Sequence, residues 1–333
     1  MDEVPGERRR LVSLAYRMLG TIAEAEDAVQ ETYVRWYRLG DAERAAIGNP
    51  QGWLTRVASR VCLDVLGSAR HRRERYVGEW LPEPVPAQLF PGPNPATGDP
   101  LDRVTLDESV STALLVVMEA MTPAERVAFV LHDVFAMPFP EIALVVGRTP
   151  AAVRQLASSA RRRVREHDAV GGDRREHDAV VRAFVRAAGT GDLAALATLL
   201  DPSVVLRSDG GGVVSAARRP VVGIDAVARF LLGIARKNPG MAFAEEITGD
   251  GLAYRVDDGP GVRAVLNLRV RVGLVTDVWI QMNPGKLGTW AVPADAGRLP
   301  EAVDGVQNGG DAVPRLPAEH RAGRLGGDDR RTR

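Results

Sequence analysis

PEIALVVGRTPAAVRQLASSARRRVRE, residues 140–166, is the stretch whose reading decides the fold. Pro140 suits the first turn of a short helix, where an N–H has no intrahelical acceptor. Gly147 ends that helix, Thr149 is placed to cap a second one and Pro150 fits its first position, the spacing of a helix-turn-helix. Along the second helix Val153, Leu156, Ala157, Ala160 and Val164 recur at intervals of three and four, a stripe that folding must bury. The opposite face is cationic: Arg154, Ser158, Arg161, Arg162 and Arg165 follow the same spacing, with Thr149 and Gln155 beside them, as suits a helix laid in a DNA major groove between two rows of phosphates. A merely solvated arginine-rich helix carries similar charges. It needs neither the capped first helix, nor the glycine turn, nor the proline start.

The whole chain has 333 residues, 45% of them hydrophobic, enough for two or three domains with cores of their own. Its formal net charge is zero, so any affinity for nucleic acid must come from local clusters of arginine. The single cysteine, Cys62, lies in an apolar helical pattern, which excludes a disulfide and a cysteine-based zinc site and fits a reducing cytoplasm. No apolar run approaches the roughly 18 residues of a membrane span, and MDEVPGE at the start lacks a signal core, so a cytoplasmic protein with no membrane partner is expected. No cofactor is called for.

Residues 8–39 follow helical spacing with a break at Gly20 and Thr21, predicting two packed helices. In the second, Ile22, Ala25, Val29, Tyr33 and Trp36 form the buried side. Glu24, Asp27, Gln30 and Glu31 gather on the other, where acid serves either solubility and the helix dipole or docking to a protein. Asn49 and Pro50 open a third helix whose core stripe is Leu54, Val57, Ala58, Val61 and Val65. Arg56 and Arg60 stand off that stripe, and the helix runs into SARHRRER, residues 68–75, whose Arg70, Arg72 and Arg73 can neutralise phosphates. Trp53 and Trp80 flank the basic segment. An indole there can stack on an unpaired base, although a place in the core is the more ordinary role for Trp53. Residues 76–100 are crowded with Pro and Gly and read as a linker without regular structure. A helix over residues 101–120 follows, and then Thr122, Pro123 and Glu125 form a capping box ahead of Val127, Val130, Leu131 and Val134.

REHDAV occurs twice, at residues 165–170 and 175–180, and reads as a charged connector over residues 167–178. His167 and His177 are taken as exposed connector residues, with no metal assigned to them. Residues 176–200 predict one or two helices broken at Gly189 to Gly191. Beyond them short β-branched runs at 204–206, 241–246, 252–256, 262–271 and 274–282, with a helix over 224–237, predict a curled antiparallel sheet in an α+β cone with an internal pocket.

Taken together, residues 8–166 resemble the extracytoplasmic-function sigma factors of bacterial RNA polymerase. EDAVQE at 26–31 is similar to the family's acidic helix that docks on the clamp helices of the polymerase largest subunit. GWLTRVAS at 52–59, followed by Leu63 and Asp64, is similar to its −10 reader, and the segment from Thr122 to Arg163 to its −35 reader. A promoter is held as a duplex at one end and melted at the other, so one module needs groove contacts and the other stacking and backbone charge. YVGEWLPEP at 76–84 is similar to a sequence in the subgroup that carries a fused SnoaL-like C-terminal domain. DGGG, residues 209–212 (Asp209, Gly210, Gly211, Gly212), and NPGKL, residues 283–287 (Asn283, Pro284, Gly285, Lys286, Leu287), resemble that subgroup's two signature loops; Val213 stands where a lysine is usual and Gly285 where an aspartate is usual.

The resemblance implies a multidomain chain of two all-α sigma domains, the second with the helix-turn-helix, followed by an α+β SnoaL-like cone. Its parts are region 2 at 1–75, a linker at 76–100, region 4 at 101–166, a connector at 167–178, the regulatory domain at 179–291 and a disordered tail at 292–333. The partners implied are core RNA polymerase, promoter DNA and a small ligand in the cone. Two rivals are a stand-alone ligand-responsive repressor and a SnoaL-like enzyme. For the enzyme, Asp209, Asp257 and Asp277 are the available bases, each equally readable as a turn or strand-end residue, and no catalytic role is expected.

Overall fold

The computed structural model describes residues 7–73, 76–90, 111–167, 173–259 and 261–290, the side chains of 69–73 apart. Helix α1 (Glu7–Leu19) ends at Gly20, whose φ of 84° lets the chain reverse, and Thr21 caps α2 (Ile22–Arg38) through the Glu24 amide. A short α3 (Asp41–Ala45) precedes α4 (Pro50–Arg73). Of the helix expected over 101–120, α5 (Thr112–Glu119) is seen, capped by Ser111; residues 101–110 lie outside the described residues. The capping box forms as read: the Glu125 amide donates to Thr122 Oγ1 at 3.3 Å and the Thr122 amide to Glu125 Oε2 at 2.9 Å, opening α6 (Pro123–Phe129). A π-helical turn, Val130–Val134, prolongs it. Then come α7 (Phe139–Val146), closed by Gly147 in the left-handed conformation, and α8 (Pro150–Glu166), capped by Thr149.

One continuous core runs through these helices, the short exposed α3 apart. Leu11, Leu14, Met18, Leu54, Ala58 and Val61 belong to the same cluster as Met118, Val127, Leu131, Ile142, Val153 and Ala157. Each large apolar side chain so buried contributes about 1.5–3 kcal/mol. Arg126 ties the two halves of the bundle: 3% exposed, it donates to Met18 O and Met118 O, both at 3.0 Å, and pairs with Glu119 at 2.7 Å. All its charge-bearing groups find oxygen, the condition for burying a guanidinium.

In the C-terminal half, α9 (Arg174–Thr190) breaks at Gly191 and is followed by α10 (Leu193–Leu199), strand β1 (Leu200–Asp209), a two-residue β2 (Val221–Val222) and α11 (Ile224–Lys237). Strands β3 (Ala242–Thr248), β4 (Gly251–Asp257), β5 (Val262–Arg271) and β6 (Leu274–Gln281) complete a six-stranded sheet in the order β2-β1-β6-β5-β4-β3. The sheet is mixed rather than wholly antiparallel, because β1 and β6 run parallel. The α+β class stands. β2, too short to leave a periodic signal, was not foreseen. His177 is no exposed connector residue: α9 begins three residues before it, and it is 9% exposed with Nε2 3.1 Å from Leu268 O.

Alternation gives the sheet two faces of different character. On one, Leu206, Val278, Leu268 and Leu266 pack beneath α9 to α11 with Phe184, Leu196, Val227 and Leu231. On the other, β1, β6 and β5 set Arg207, Asp209, Asp277, Trp279, Gln281, Asn267 and Arg269 side by side. A polar face normally meets water. Here Asp209, Asn267, Asp277, Trp279 and Gln281 are all buried, because residues 76–90 and α5 lie over them. The 76–90 segment holds no helix or strand beyond one 3-10 turn, Ala87–Leu89, as its prolines require, yet Leu81 and Val85 within it are buried. Among the described residues no helix is long and apolar enough to cross a membrane.

Candidate nucleic-acid interface

Packing decides which side of α8 is left open. Val153, Ala157 and Ala160 are completely buried, and Leu156 and Val164 half so. The other side forms an open groove of about 600 Å³ lined by Arg154, Gln155, Ser158, Ser159, Arg162 and Arg165. Arg154 leans over the Phe139 ring at 5.2 Å, and Arg162 lies 3.8 Å from Glu166 in an exposed pair worth at most a few tenths of a kcal/mol. Two residues of the predicted set have other engagements. Thr149 accepts the Ala152 amide at 3.2 Å in its capping role, and Arg161 is half-buried with Nε 3.0 Å from Asp133.

On α4, Trp53 is half-buried against Trp36 with ring centres 5.2 Å apart; Arg56 is half-buried and Arg60 exposed. The side chains of Arg70, Arg72 and Arg73 lie outside the described residues. On α2, Asp27 and Gln30 are exposed, Glu24 is drawn into the Thr21 cap with its Oε2 3.1 Å from Thr21 Oγ1, and Glu31 pairs with Arg35 at 2.8 Å.

The two signature loops meet at the end of β1. Asp209, wholly buried, accepts from Lys286 Nζ at 2.8 Å, the Tyr76 hydroxyl at 2.6 Å and the Leu81 amide at 3.0 Å. Lys286 also donates to Leu81 O at 2.6 Å, and its ammonium sits 4.1 Å from the Trp80 ring centre. Burial works to raise the Asp209 carboxyl, but the Lys286 ammonium and the hydrogen bonds from Lys286, Tyr76 and Leu81 outweigh it and hold the group below its ordinary value. Burial, and then the Asp209 hydrogen bond, push the Tyr76 hydroxyl well up. Pro284 opens the 3-10 turn Pro284–Lys286 that presents the lysine, and Leu287 is buried with Val265 and Trp290. Gly211, at φ 65°, passes so close to Asn283 that a Cβ would lie 2.4 Å from its Cγ; only glycine fits. Gly210 and Gly212 continue that turn, Gly212 against Val77.

The loops therefore close on residues 76–84. Asn283 Nδ2 reaches the Tyr76 hydroxyl at 2.9 Å, Gln281 Nε2 reaches Leu81 O and Pro82 O at 3.2 Å each, and Trp290 Nε1 reaches Pro84 O at 2.7 Å. Sequence reasoning missed Gln281, Trp290 and the direct role of Tyr76. The available signal was an amphipathic Tyr and Trp inside a proline-rich stretch too apolar for a free linker. Val213 is 80% exposed, so the buried ion pair belongs to Lys286 alone. Each carboxylate weighed as a base is engaged by a cation: Asp209 by Lys286, Asp257 by Arg255 at 3.1 Å and Asp277 by Arg269.

A helix-turn-helix with an open cationic groove, joined to a second basic helix that carries an acidic neighbour, defines a DNA-binding transcription factor. Family profiles agree: Sigma-70 region 2 matches residues 6–73 and Sigma-70 region 4 matches residues 111–164. The chain is 42% identical over 298 residues to the ECF RNA polymerase sigma factor SigJ of Mycobacterium tuberculosis, covering 86% of this chain and 92% of that protein. It is 38% identical over 284 residues to the probable ECF RNA polymerase sigma factor SigI of the same organism, covering 84% and 92%. The crystal structure of M. tuberculosis SigJ superposes with a TM-score of 0.65 at 35% identity, over 85% of this chain and 96% of that one. This chain belongs to the extracytoplasmic-function sigma factors. It binds core RNA polymerase and promoter DNA and directs transcription initiation; it is not an enzyme.

Proposed function

We propose that residues 1–75 act as region 2, docking on the clamp helices of the polymerase largest subunit through the α2 face of Glu24, Asp27, Gln30 and Glu31. Asp27 and Gln30 lead, since they stand exposed. Trp53, Arg56, Arg60, Arg70, Arg72 and Arg73 serve the −10 element. Residues 101–166 act as region 4, where Arg154, Gln155, Ser158, Arg162 and Arg165 line the −35 groove, Thr149 holds the helix start and Arg161 is retained by Asp133. Residues 76–100 connect the two readers, 167–178 lead out of region 4, and the domain to residue 291, whose first helix reaches back to Arg174, regulates them.

The observation that carries the regulatory reading is the buried Asp209–Lys286 pair closed on Tyr76 and Leu81. Both readers share one core, while the two promoter elements lie about 25 base pairs apart, roughly 85 Å at 3.4 Å per step. Readers so packed cannot span that distance, so initiation requires them to part, and a domain clasped on their connector sets how readily they do. A small ligand in the cone would act on this balance only through different affinity for the clasped and released forms. The test is run-off transcription with core polymerase and either the intact chain or Lys286→Met. Initiation at the same promoter, at an altered chain concentration for half-maximal transcript, supports the reading; identical curves defeat it.

A further inference from the structure

The C-terminal sheet grips the helical half at a second place. Asp250, in the turn between β3 and β4, accepts the Thr112 amide at 2.8 Å and the Ala113 amide at 3.1 Å, two of the four N–H groups that the start of α5 leaves without intrahelical partners. Ser111 supplies the third, its Oγ accepting the Leu114 amide at 3.0 Å. Asn267 donates to Thr112 Oγ1 at 3.2 Å and is itself fixed by Thr248 at 3.0 Å. Beside these bonds Trp279 packs between Leu81 of the linker and Ala113 and Val116 of α5. One face of the sheet thus carries two clasps, one on the linker and one on the first helix of the region 4 match.

The two differ in chemistry. The linker clasp closes on a buried ammonium, which compensates its carboxylate where both have left water. Among the described residues Asp250 has no cation in ion-pair reach; it is held by neutral donors, and burial raises its carboxyl above the ordinary value. A carboxylate so placed regains its hydration when the contact opens. Resting on the regulatory reading above, we propose that Asp250 forms a separate and weaker clasp on α5, which lets go while the linker is still held.

Native-state hydrogen exchange on the full chain tests this, read over residues 115–119 of α5, which do not bond to Asp250, and over residues 76–85. In the wild type, 115–119 exchange faster than Leu81 and its neighbours. Asp250→Ala speeds exchange over 115–119 about tenfold, the loss of one buried acceptor, and leaves 76–85 unchanged. Asn267→Ala, which leaves Asp250 in place, acts in the same direction more weakly and guards against a folding defect. Unchanged exchange over 115–119 in both variants overturns the proposal, as does equal acceleration of the two segments, which would mean a single clasp. Transcription does not enter this readout, so a failed regulatory reading is told apart by the run-off curves.

Discussion

Lys286→Met removes the cation of the linker clasp while keeping most of the side chain's volume. The lysine and Asp209 are 7% and 0% exposed and 2.8 Å apart, and the ammonium also serves Leu81 O. Removing one member of such a pair leaves the other buried and uncompensated, at a cost of about 3–5 kcal/mol, which lowers the closing constant of the clasp by about 150- to 4,000-fold. An exposed pair such as Arg229–Asp225, 73% and 86% exposed, is worth about 0.5 kcal/mol or less. Urea unfolding followed by tryptophan fluorescence reads the difference, because Trp80 and Trp290 lie at the clasp. Asp209→Asn and the double variant complete a cycle in which the double variant loses less than the sum of the singles by about 2 kcal/mol or more. A loss under about 1 kcal/mol for Lys286→Met, or strict additivity in the cycle, refutes the reasoning.

Other outcomes follow from the same geometry. Arg154→Ala and Arg162→Ala each weaken binding to a −35 duplex by about 1–3 kcal/mol at fixed salt if they reach bases, whereas Arg161→Ala costs less in binding and more in stability; titration by anisotropy separates the three. The Asp209 carboxyl is held below its ordinary 3.8, so its contribution is complete above that pH and is lost as pH falls through the lower folded value; Asp209→Asn removes this part of the acid limb in a pH series of urea midpoints. Gly211→Ala, at φ 65° against Asn283, destabilises the clasp by more than about 1 kcal/mol, seen as easier proteolysis within residues 76–85. Deleting the chain from Asp201 onward changes transcript yield but not promoter preference, as mapped on a randomised promoter library.

Much of this was legible in the residues because local rules sufficed. The Thr122 box, the Gly147 turn, the Thr149 cap and the helix Ile224–Lys237 depend on neighbours a few positions away, and each forms where the spacing puts it. The acidic face and the groove of α8 were readable as faces. Their finer state was not: whether Arg161 or Arg162 is free depends on Asp133, which only tertiary packing brings within 3.0 Å. The clasp lay beyond periodicity for the same reason. Asp209 and Asp277 are readable from the sequence as turn or strand-end residues, and alternation alone cannot show that they and Gln281 share a face covered by a segment more than a hundred residues away. His177 was misread because a histidine at a helix start looks exposed until β5 offers it a carbonyl.

The measurement that goes most directly to the account is energy transfer between dyes on Tyr37→Cys in α2 and Leu144→Cys in α7, both exposed, with the buried Cys62 left unlabelled. The free chain, whose readers share one core, gives high transfer. Adding core polymerase and promoter DNA should abolish most of it as the readers move apart toward the separation of the two promoter elements, roughly 85 Å. Transfer that stays high while transcript is made contradicts the account.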